Sequence, residues 1–410
     1  MLCGNYILSN RSEWTFYFLS SVQFNFTIGV DLTIQKKREI FMKKYQFNSS
    51  SAADIGDYLK VFACTAVISQ PIMSMIMGTG QPTHVQDVFG VFYNLVKYTA
   101  PAFIFGILYT TIRTNDEKGS FSYAKHMRAN WSNLFVPTIW WTLIYLFGMP
   151  WVQQVNHFNS IGSFCWQFIN GNAAPHLWYN TMMLQFIILM PLFWALSRFV
   201  GHNLTRGIWV AIITFVLYFA WLWLYDYYVF HGVHEHDWYL LDRVFISFFI
   251  YGVYGMLAWQ LRGYYNQLVT KLWWLISILF IGCFIWTNIE LQKFGHPINF
   301  NNAPYYKPSM TLYCLAVIAL ISAFCLHQVR KNSRASLNVF HFLATYAYRA
   351  YLSNVFWNQL VWRGLNMQYH AIYHPILTLF GTWILTWILS FTSAYCLHVW
   401  WMKAKSLILR

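Results

Sequence analysis

Ten apolar runs, separated by polar connecting segments, follow one another along most of the chain. Each is about 20 residues long, which is the length an α-helix needs to cross the hydrocarbon core of a bilayer. Within each run the apolar residues are continuous and do not alternate with polar ones, as they would in a β-barrel. Because backbone groups in lipid must be paired within their own segment, the pattern predicts helices. The predicted spans are 57–77, 90–112, 131–150, 177–198, 208–227, 241–261, 272–290, 309–328, 338–361 and 376–400.

The composition favours a membrane domain over a large soluble core. Hydrophobic residues make up 58% of the 410 residues and charged residues only 10%, whereas a soluble domain has about 25% charged residues. So few charges cannot cover a surface that faces water. We therefore predict an all-α, polytopic membrane domain of about ten helices over residues 54–402, without an internal domain boundary.

The positions of Lys and Arg predict how the chain is oriented. The formal net charge is +14, but the basic residues fall between apolar runs and form no patch, so we expect no nucleic-acid partner. With the N-terminus inside, all but six of the 27 Lys and Arg residues lie in cytoplasmic segments or at cytoplasmic helix ends. This predicts N-in and C-in topology in the plasma membrane, with residues 403–410 as a cytoplasmic tail. The six exceptions are Lys97, Arg243, Lys293, Lys307, Arg349 and Arg363.

The first 53 residues differ from the rest. They have no basic segment ahead of an apolar one, so they do not resemble a signal peptide, and they are too polar to span a bilayer. Met42 is followed by "KKYQFNSSS", which has the character of an ordinary cytoplasmic start. We interpret residues 1–53 as a cytoplasmic extension, with Met42 as an alternative start of the chain.

Neither cysteines nor histidines indicate a metal site. The seven Cys residues form no CxxC pair, which argues against a disulfide framework and against zinc. One predicted external loop, "FHGVHEHDWYLLD", holds His231, His234 and His236 beside Glu235 and Asp237. A metal would require these ligands to converge on one ion, and a loop cluster of this kind is more often solvated. We therefore predict no metal.

Four polar side chains lie inside predicted spans, where they are costly and tend to mark function. Gln70 and Asn354 could simply form hydrogen bonds to neighbouring helices. Lys97 lies near the outer end of its predicted span and could extend its ammonium to the surface. Arg349 lies about eleven residues into its predicted span, so its guanidinium needs a carboxylate, a carbonyl or a wet cavity.

Six segments in consistent order resemble the acyltransferase 3 family of bacterial membrane acyltransferases. "DYLKVFACTAVI" is similar to the family's first helix, "YTAPAFIFGILYTTI" to its second and "HMRANWSNLFVPTIWWTLIY" to its third. "PHLWYNTMMLQFIILMPL" resembles the family's His-Leu-Trp segment, "FISFFIYGVYGMLA" its sixth helix, and "YAYRAYLSNVF" its late Tyr-Leu-x-His-Pro segment. The resemblance covers residues 54–400 and is closest to members that modify polysaccharides, including the intercellular-adhesion polysaccharide proteins.

The resemblance implies transfer of an acyl group, often acetyl, from acyl-CoA to a hydroxyl of a cell-surface glycan or exopolysaccharide. Acyl-CoA would be a substrate, and no permanently bound cofactor is expected. Lys60 stands where the family has its basic residue at the inner end of the first helix, and Arg113, Lys125 and Arg128 are predicted on the same side. These four are the expected binding residues for acyl-CoA, although all four could equally be orientation signals.

The chain departs from the family at its two usual histidines. The first helix of the family has a His eleven residues after the basic residue, where this chain has Pro71, preceded by Gln70. In the late segment, Asn354 replaces the other His. An amide can donate and accept hydrogen bonds but cannot take a proton from an attacking hydroxyl. Gln70 and Asn354 thus keep a polar side chain at or beside each position without keeping the base.

Three interpretations remain open. In the first, the protein is an acyltransferase and His176, in "PHLWYN", takes the proton. In the second, it binds or exports a glycan without chemistry. In the third, it is a secondary transporter, which would predict inverted repeats with paired broken helices, and the sequence shows neither clearly. For the enzyme, the predicted catalytic residues are His176, Gln70, Asn354 and Arg349, and the predicted substrate-binding residues are Trp178 and Tyr251.

Overall fold

The computed structural model describes residues 53–154, 157–230 and 232–408, with side chains as far as residue 403. All regular structure in these ranges is helical, as predicted. The predicted extension before residue 53 lies outside the described residues. The α-helices are α1 (Ile55–Met77), α2 (Thr83–Leu95), α3 (Thr99–Glu117), α4 (Tyr123–Asn130), α5 (Val136–Leu143), α6 (Ile161–Asn170), α7 (Trp178–Ile188), α8 (Met190–Val200), α9 (Leu204–Tyr228), α10 (Phe249–Gln260), α11 (Arg262–Lys271), α12 (Trp273–Gln292), α13 (Pro308–Arg330), α14 (Arg334–Gly364), α15 (Met367–Tyr373) and α16 (Pro375–Ile408). Two π-helical segments (Trp131–Phe135 and Ile144–Gly148) flank α5, and short 3₁₀ helices occur at Pro150–Val152, Tyr239–Arg243, Phe245–Phe248 and Phe300–Asn302.

Every predicted span coincides with helical structure, but the helices are not uniform. Six helical segments are long and apolar enough to cross a membrane, and a seventh is obtained if α7 and α8 count as one bent span. The multi-pass character of the chain therefore stands, whereas the number of ten spans and the N-in, C-in orientation stay predictions. The interruptions within the predicted spans shape the site more than the number of spans does.

The first helix shows why its sequence begins with acids. The Asp54 carboxylate accepts a hydrogen bond of 2.8 Å from the backbone N–H of Asp57, which satisfies one of the donors left unpaired at a helix start. The helix then runs without interruption through Pro71 to Met77. Because Pro71 has no N–H, the carbonyl four residues earlier, on Val67, loses its usual helical partner.

Helix α1 lies at the centre of the bundle and packs against α3, α13, α14 and α16. Its closest approach is to α3, where Gly56 faces Gly106 and Thr110 so tightly that a Cβ on Gly56 would overlap both. Small residues of this kind allow two helices in lipid to pack at short range. We call the two ends of the bundle the Asp54 end and the Met77 end, after the ends of α1.

A three-residue break separates α2 from α3 within one predicted span. Pro101 lies in the first turn of α3, where its missing N–H costs little, whereas inside a helix continuing from α2 it would leave a carbonyl unpaired. The break places Val96, Lys97 and Thr99 in the interior of the bundle. It is the feature that brings polar groups to the middle of an apolar segment.

Helices α7 and α8 form a second interrupted span, bent by 55°. Pro191 lies at the start of α8 and cannot donate to the carbonyl of Ile187. That carbonyl lies 3.3 Å from Nε2 of His126, and the carbonyl of Ile188 accepts a hydrogen bond from the Tyr123 hydroxyl. The bend is therefore stabilised by side chains of α4.

Two helices present apolar side chains away from the bundle. In α9, Trp209, Val216 and Leu217 are each about 60% exposed, and in α12 Ile278 and Ile281 are more than half exposed. In water such a surface would be costly. It is the surface expected for helices that contact lipid tails.

Candidate functional site

A cavity of about 910 Å³ occupies the Met77 half of the bundle. One wall is α1, through Val67, Gln70, Pro71 and Ser74. The break between α2 and α3, the turn before α7, and the segments around residues 235–243 and 300–306 form the other walls. Aromatic side chains dominate this lining, and a few polar groups converge among them, which is typical of a ligand-binding cavity. Of the predicted site residues, Gln70, His176 and Trp178 line this cavity.

His176 is held in one tautomer by its surroundings. Its Nε2 lies 3.2 Å from the backbone carbonyl of Leu352, and a carbonyl can only accept, so Nε2 carries the proton. Nδ1 then has the free lone pair, and it is buried without a hydrogen-bond partner among the described residues. His176 precedes the helical span, and burial lowers its pKa to about 3, so the imidazole is neutral at physiological pH.

Aromatic hydroxyls fix the orientation of His176. The Tyr351 hydroxyl donates to the backbone carbonyl of His176. The Tyr145 hydroxyl donates to the Leu352 carbonyl at 2.8 Å and accepts from the N–H of Phe356 at 3.0 Å. Tyr145 thus bridges the groups that α14 would normally pair directly. This leaves α14 locally open where it meets the histidine.

Gln70 closes the break between α2 and α3. Its side-chain amide donates to the carbonyl of Val96 at 3.0 Å and approaches the Thr99 hydroxyl at 3.4 Å. The Thr99 hydroxyl in turn lies 3.0 Å from the hydroxyl of Tyr305. A helix end buried in a bundle needs such partners, so the amide has a structural role as well as a place in the cavity wall.

Lys97 lies inside the cavity. The sequence had allowed its ammonium to extend to the surface, and the structure shows that it does not. Lys97 is only 8% exposed. Its ammonium donates to the Tyr93 hydroxyl at 2.9 Å and lies 4.6 Å from the ring centres of both Tyr93 and Tyr305. The reason is the break, which turns residue 97 inward.

Asp242 and Arg243 form an ion pair in the cavity wall that the segment around residues 235–243 provides. Arg243 is buried and donates to Oδ1 of Asn172 at 2.7 Å, while its Nε lies 3.3 Å from a carboxylate oxygen of Asp242. Asp242 lies in a short 3₁₀ helix at the edge of the predicted span 241–261 and outside the helices long enough to cross a membrane. Burial raises its pKa to about 6, an effect that Arg243 partly offsets. The carboxyl therefore titrates close to physiological pH.

Three aromatic rings form the floor of the cavity. Phe103, Tyr179 and Tyr351 line the cavity, and their ring centres are 5.5 to 5.8 Å apart. Each comes from a different helix: α3, α7 and α14. Val67, which also lines the cavity, is seven residues after Lys60 on α1, about 10 Å further from the Asp54 end. We call these three rings the aromatic floor.

The four basic residues predicted to bind acyl-CoA lie near the Asp54 end, in two different settings. Lys60 lies 3.5 Å from the Asp57 carboxylate, and Arg113 lies 3.0 Å from that of Asp54. Lys125 and Arg128 are exposed on α4, and no carboxylate of the described residues forms an ion pair with either. Lys60 and Arg113 are thus already neutralised by acids.

The remaining predicted site residues lie outside the cavity lining. Asn354 is fully buried in α14, and its amide donates to the backbone carbonyl of Tyr351. Tyr251 is fully buried behind Phe248, with ring centres 6.0 Å apart, and Phe248 in turn packs against Tyr305 of the lining. Arg349 is half-buried near α16, where its charge acts on His398. The structure therefore does not bring these three together with His176 in the cavity.

Several residues of the cavity were missed by the sequence interpretation. Asp242, Arg243 and Tyr305 come from segments predicted as a span end or an external loop, and nothing in their spacing marks them. The positions of Lys97 and Arg243 among the six basic residues that violate the orientation rule were the available signal. Among the described residues, which do not include His231, no three His, Cys, Asp or Glu side chains converge as metal ligands would.

The fold and the cavity define a class: a multi-pass helical membrane protein with an internal, aromatic-lined site that contains a neutral histidine. Within that class, the family model described as an acyltransferase domain matches residues 56–399. The chain therefore belongs to the acyltransferase 3 family. The comparisons with curated proteins and with solved structures found no significant match.

Proposed function

We propose that the protein transfers an acyl group, typically acetyl, from acyl-CoA to a hydroxyl of a cell-surface glycan or exopolysaccharide at a bacterial plasma membrane. The observation that carries the proposal is His176, a neutral imidazole with a free Nδ1 lone pair at the wall of the large cavity. Family membership supports the reaction class. The acyl group, the CoA donor and the glycan acceptor are parts of the proposal.

In the proposed reaction, each of three side chains of the cavity has one role. The acceptor hydroxyl oxygen attacks the thioester carbonyl, and Nδ1 of His176 takes the hydroxyl proton. The carbon–sulfur bond breaks, the CoA thiolate leaves, and the proton passes from the imidazole to the thiolate. The products are the ester and free CoA. Trp178 would stack on a sugar face while the amide of Gln70 orients the acceptor or the thioester.

A specific observation favours the second candidate, glycan binding or export without chemistry. The burial that keeps His176 neutral also makes it a weak base, with a pKa of about 3. Gln70 is engaged by Val96 and Thr99 and has no proton-accepting nitrogen. The aromatic lining would serve a bound sugar equally well in either case.

Acyl transfer from radiolabelled acetyl-CoA in membranes, with and without the protein, separates the two candidates. For the enzyme, we expect labelled glycan, and we expect His176→Ala to lower transfer by about 10²–10⁴-fold, the usual contribution of a general base. His84→Ala is the matched control, because His84 is an exposed histidine at the same end of the bundle. Absence of transfer by the wild-type protein, with glycan retention altered in His176→Ala, would favour the second candidate.

A further inference from the structure

In the described part of the chain, Lys97 is a buried cation with no acidic side chain within ion-pair distance. The Lys97 side chain is 92% buried, being 8% exposed, and its ammonium lines the cavity. Among the described residues, no carboxylate lies within ion-pair distance of this ammonium, and the charge acts mainly on the Tyr93 and Tyr305 phenols. A buried charge is costly unless it is paired. The ammonium of Lys97 therefore has no acidic group beside it in the part of the chain that the structure describes.

The other charged groups of the lining are Glu235, which is exposed, and two residues that pair with each other. Arg243 and Asp242 form their own ion pair at 3.3 Å. Of the three donors on the Lys97 ammonium, one is used by the Tyr93 hydroxyl at 2.9 Å. Two rings at 4.6 Å supply cation–π attraction, which offsets part of the desolvation. Donors remain for an anionic group that enters the cavity.

Contacts through Tyr305 connect Lys97 to the rest of the cavity wall. Tyr305, one of its two rings, is hydrogen-bonded to Thr99, and Thr99 is within reach of Gln70. Tyr305 also packs against Trp178, with ring centres 5.7 Å apart. A sugar stacked against Trp178 or Tyr305 would therefore bring its substituents close to the ammonium.

From this placement, and resting on the proposed glycan substrate, we propose that Lys97 is an oxyanion subsite that recognises a carboxylate or a phosphate carried by the sugar. A carboxylate would come from an acidic sugar residue, and a phosphate from a phosphorylated one. Both present oxygen atoms that a compact ammonium binds as a point charge. The subsite would make the protein selective for acidic over neutral glycans.

The test compares three sugar probes by calorimetry on the purified full chain in detergent at pH 7. The probes are methyl β-D-glucuronide, glucose 6-phosphate and neutral methyl β-D-glucoside. We expect at least one acidic probe to bind wild-type protein about tenfold or more tightly than the neutral one. The glucuronide arm reports on carboxylate recognition and the phosphate arm on phosphate recognition.

Two substitutions attribute the preference to the residue. Lys97→Met keeps most of the length of the side chain and should abolish the preference for acidic probes over the neutral one, whereas Lys97→Arg should retain it. Lys307→Met is the matched control, because Lys307 also lies over two rings, at 4.6 and 5.0 Å, but not in the large cavity.

Equal binding of the three probes by the wild-type protein, including no measurable binding up to millimolar concentration, overturns the inference, whether or not Lys97→Met folds. A preference that persists in Lys97→Met would also overturn it. Failure of the proposed acyl transfer is a separate result: if the preference for acidic probes holds while no transfer occurs, the subsite stands and the catalytic proposal falls.

Discussion

At the scale of single residues, the cavity shows how burial changes the chemistry of a side chain. His176 is kept neutral, because water is excluded and a carbonyl fixes its tautomer. Burial raises the pKa of Asp242, because desolvation disfavours the charged form of an acid. Neither effect can be inferred from the residue type alone. Both depend on which groups surround the side chain.

The raised pKa of Asp242 predicts a pH-dependent stability. The carboxyl has a pKa of about 6 in the folded protein and an ordinary value of 3.8, so the folded state binds the proton more tightly than the unfolded state. Stability contributed by Asp242 is therefore present below about pH 4 and is lost as the pH rises through about 6. One pKa unit corresponds to about 1.4 kcal/mol, which gives an upper limit of about 3 kcal/mol.

Asp242→Asn tests this prediction through melting temperatures measured in detergent between pH 4 and pH 8. We expect the melting temperature of the variant, relative to the wild type, to rise with pH through 6 and then level off. The matched control is Asp237→Asn, because Asp237 lies nearby but its side chain is 79% exposed. A difference between wild type and Asp242→Asn that does not change with pH would contradict the prediction.

At the scale of helices, glycines set the distances between the central elements. Gly255 on α10 lies against the backbone carbonyl of Phe105 on α3, so closely that an added Cβ would overlap it. A backbone atom cannot rotate away as a flexible side chain can. The contact between α3 and α10 therefore requires glycine, and through α3 it supports the break that forms the cavity wall.

We expect Gly255→Ala to destabilise the protein by about 1–3 kcal/mol, because overpacking forces backbone shifts. Gly282→Ala is the matched control: Gly282 is also inside a helix, α12, but a Cβ there would meet no atom within 4 Å. The control should be neutral or slightly stabilising, since alanine favours a helix interior by about 0.5–1 kcal/mol over glycine. The test is the melting temperature of each variant. Equal melting temperatures for Gly255→Ala and Gly282→Ala would contradict the packing argument.

The basic residues near the Asp54 end give a prediction that depends on their partners. Lys125 and Arg128 have no acidic neighbour within ion-pair distance among the described residues, whereas Lys60 is paired with Asp57. If these residues bind the phosphates of acyl-CoA, Arg128→Ala should weaken binding by about 1 kcal/mol, or about fivefold. Lys60→Ala should weaken it less.

CoA binding to the purified protein, measured by calorimetry at low salt, provides the test. Arg206→Ala is a suitable control, because Arg206 is also exposed, and its guanidinium contacts the carbonyl of Phe199 in the neighbouring helix α8. If Arg128→Ala and Lys60→Ala both bind CoA as tightly as the wild type, these residues serve orientation and not donor binding.

At the scale of the whole molecule, the cavity and the basic residues lie toward opposite ends of the bundle. His176 lines the cavity, whereas Lys60 and Arg113 are paired with acids at the start of α1. This arrangement suits a reaction whose two substrates arrive from opposite sides of a membrane. It depends on the predicted orientation, in which the Asp54 end is cytoplasmic.

Cysteine labelling tests that orientation. His157 lies in the loop at the Met77 end and Ser120 at the Asp54 end, and both are exposed. His157→Cys and Ser120→Cys would be made after Cys3, Cys165 and Cys396 are replaced by Ser, which retains the four buried cysteines. In intact cells an impermeant maleimide should label position 157 and should label position 120 only after permeabilisation. The opposite pattern would refute N-in, C-in topology.

The sequence by itself determined the helical membrane architecture and the family. Apolar runs of about 20 residues leave the backbone no partner except itself in lipid, so each becomes a helix wherever it lies in the bundle. The same local logic placed His176 and Trp178 at the start of a helix, and the order of the motifs gave the resemblance. Such features depend on neighbours along the chain, which a sequence displays directly.

Only the tertiary structure decided which polar groups meet. The break at residues 96–98 turns Lys97 inward, and Gln70 from another helix closes that break. Asp242 and Arg243 reach the same cavity from a segment more than 140 residues away. In a medium of low dielectric constant, the energy of a polar group is set by the partners within a few ångströms, and those partners come from distant parts of the chain. The sequence identified candidate residues, but only their contacts in the folded chain show which of them line the cavity. Asn354 and Arg349 do not.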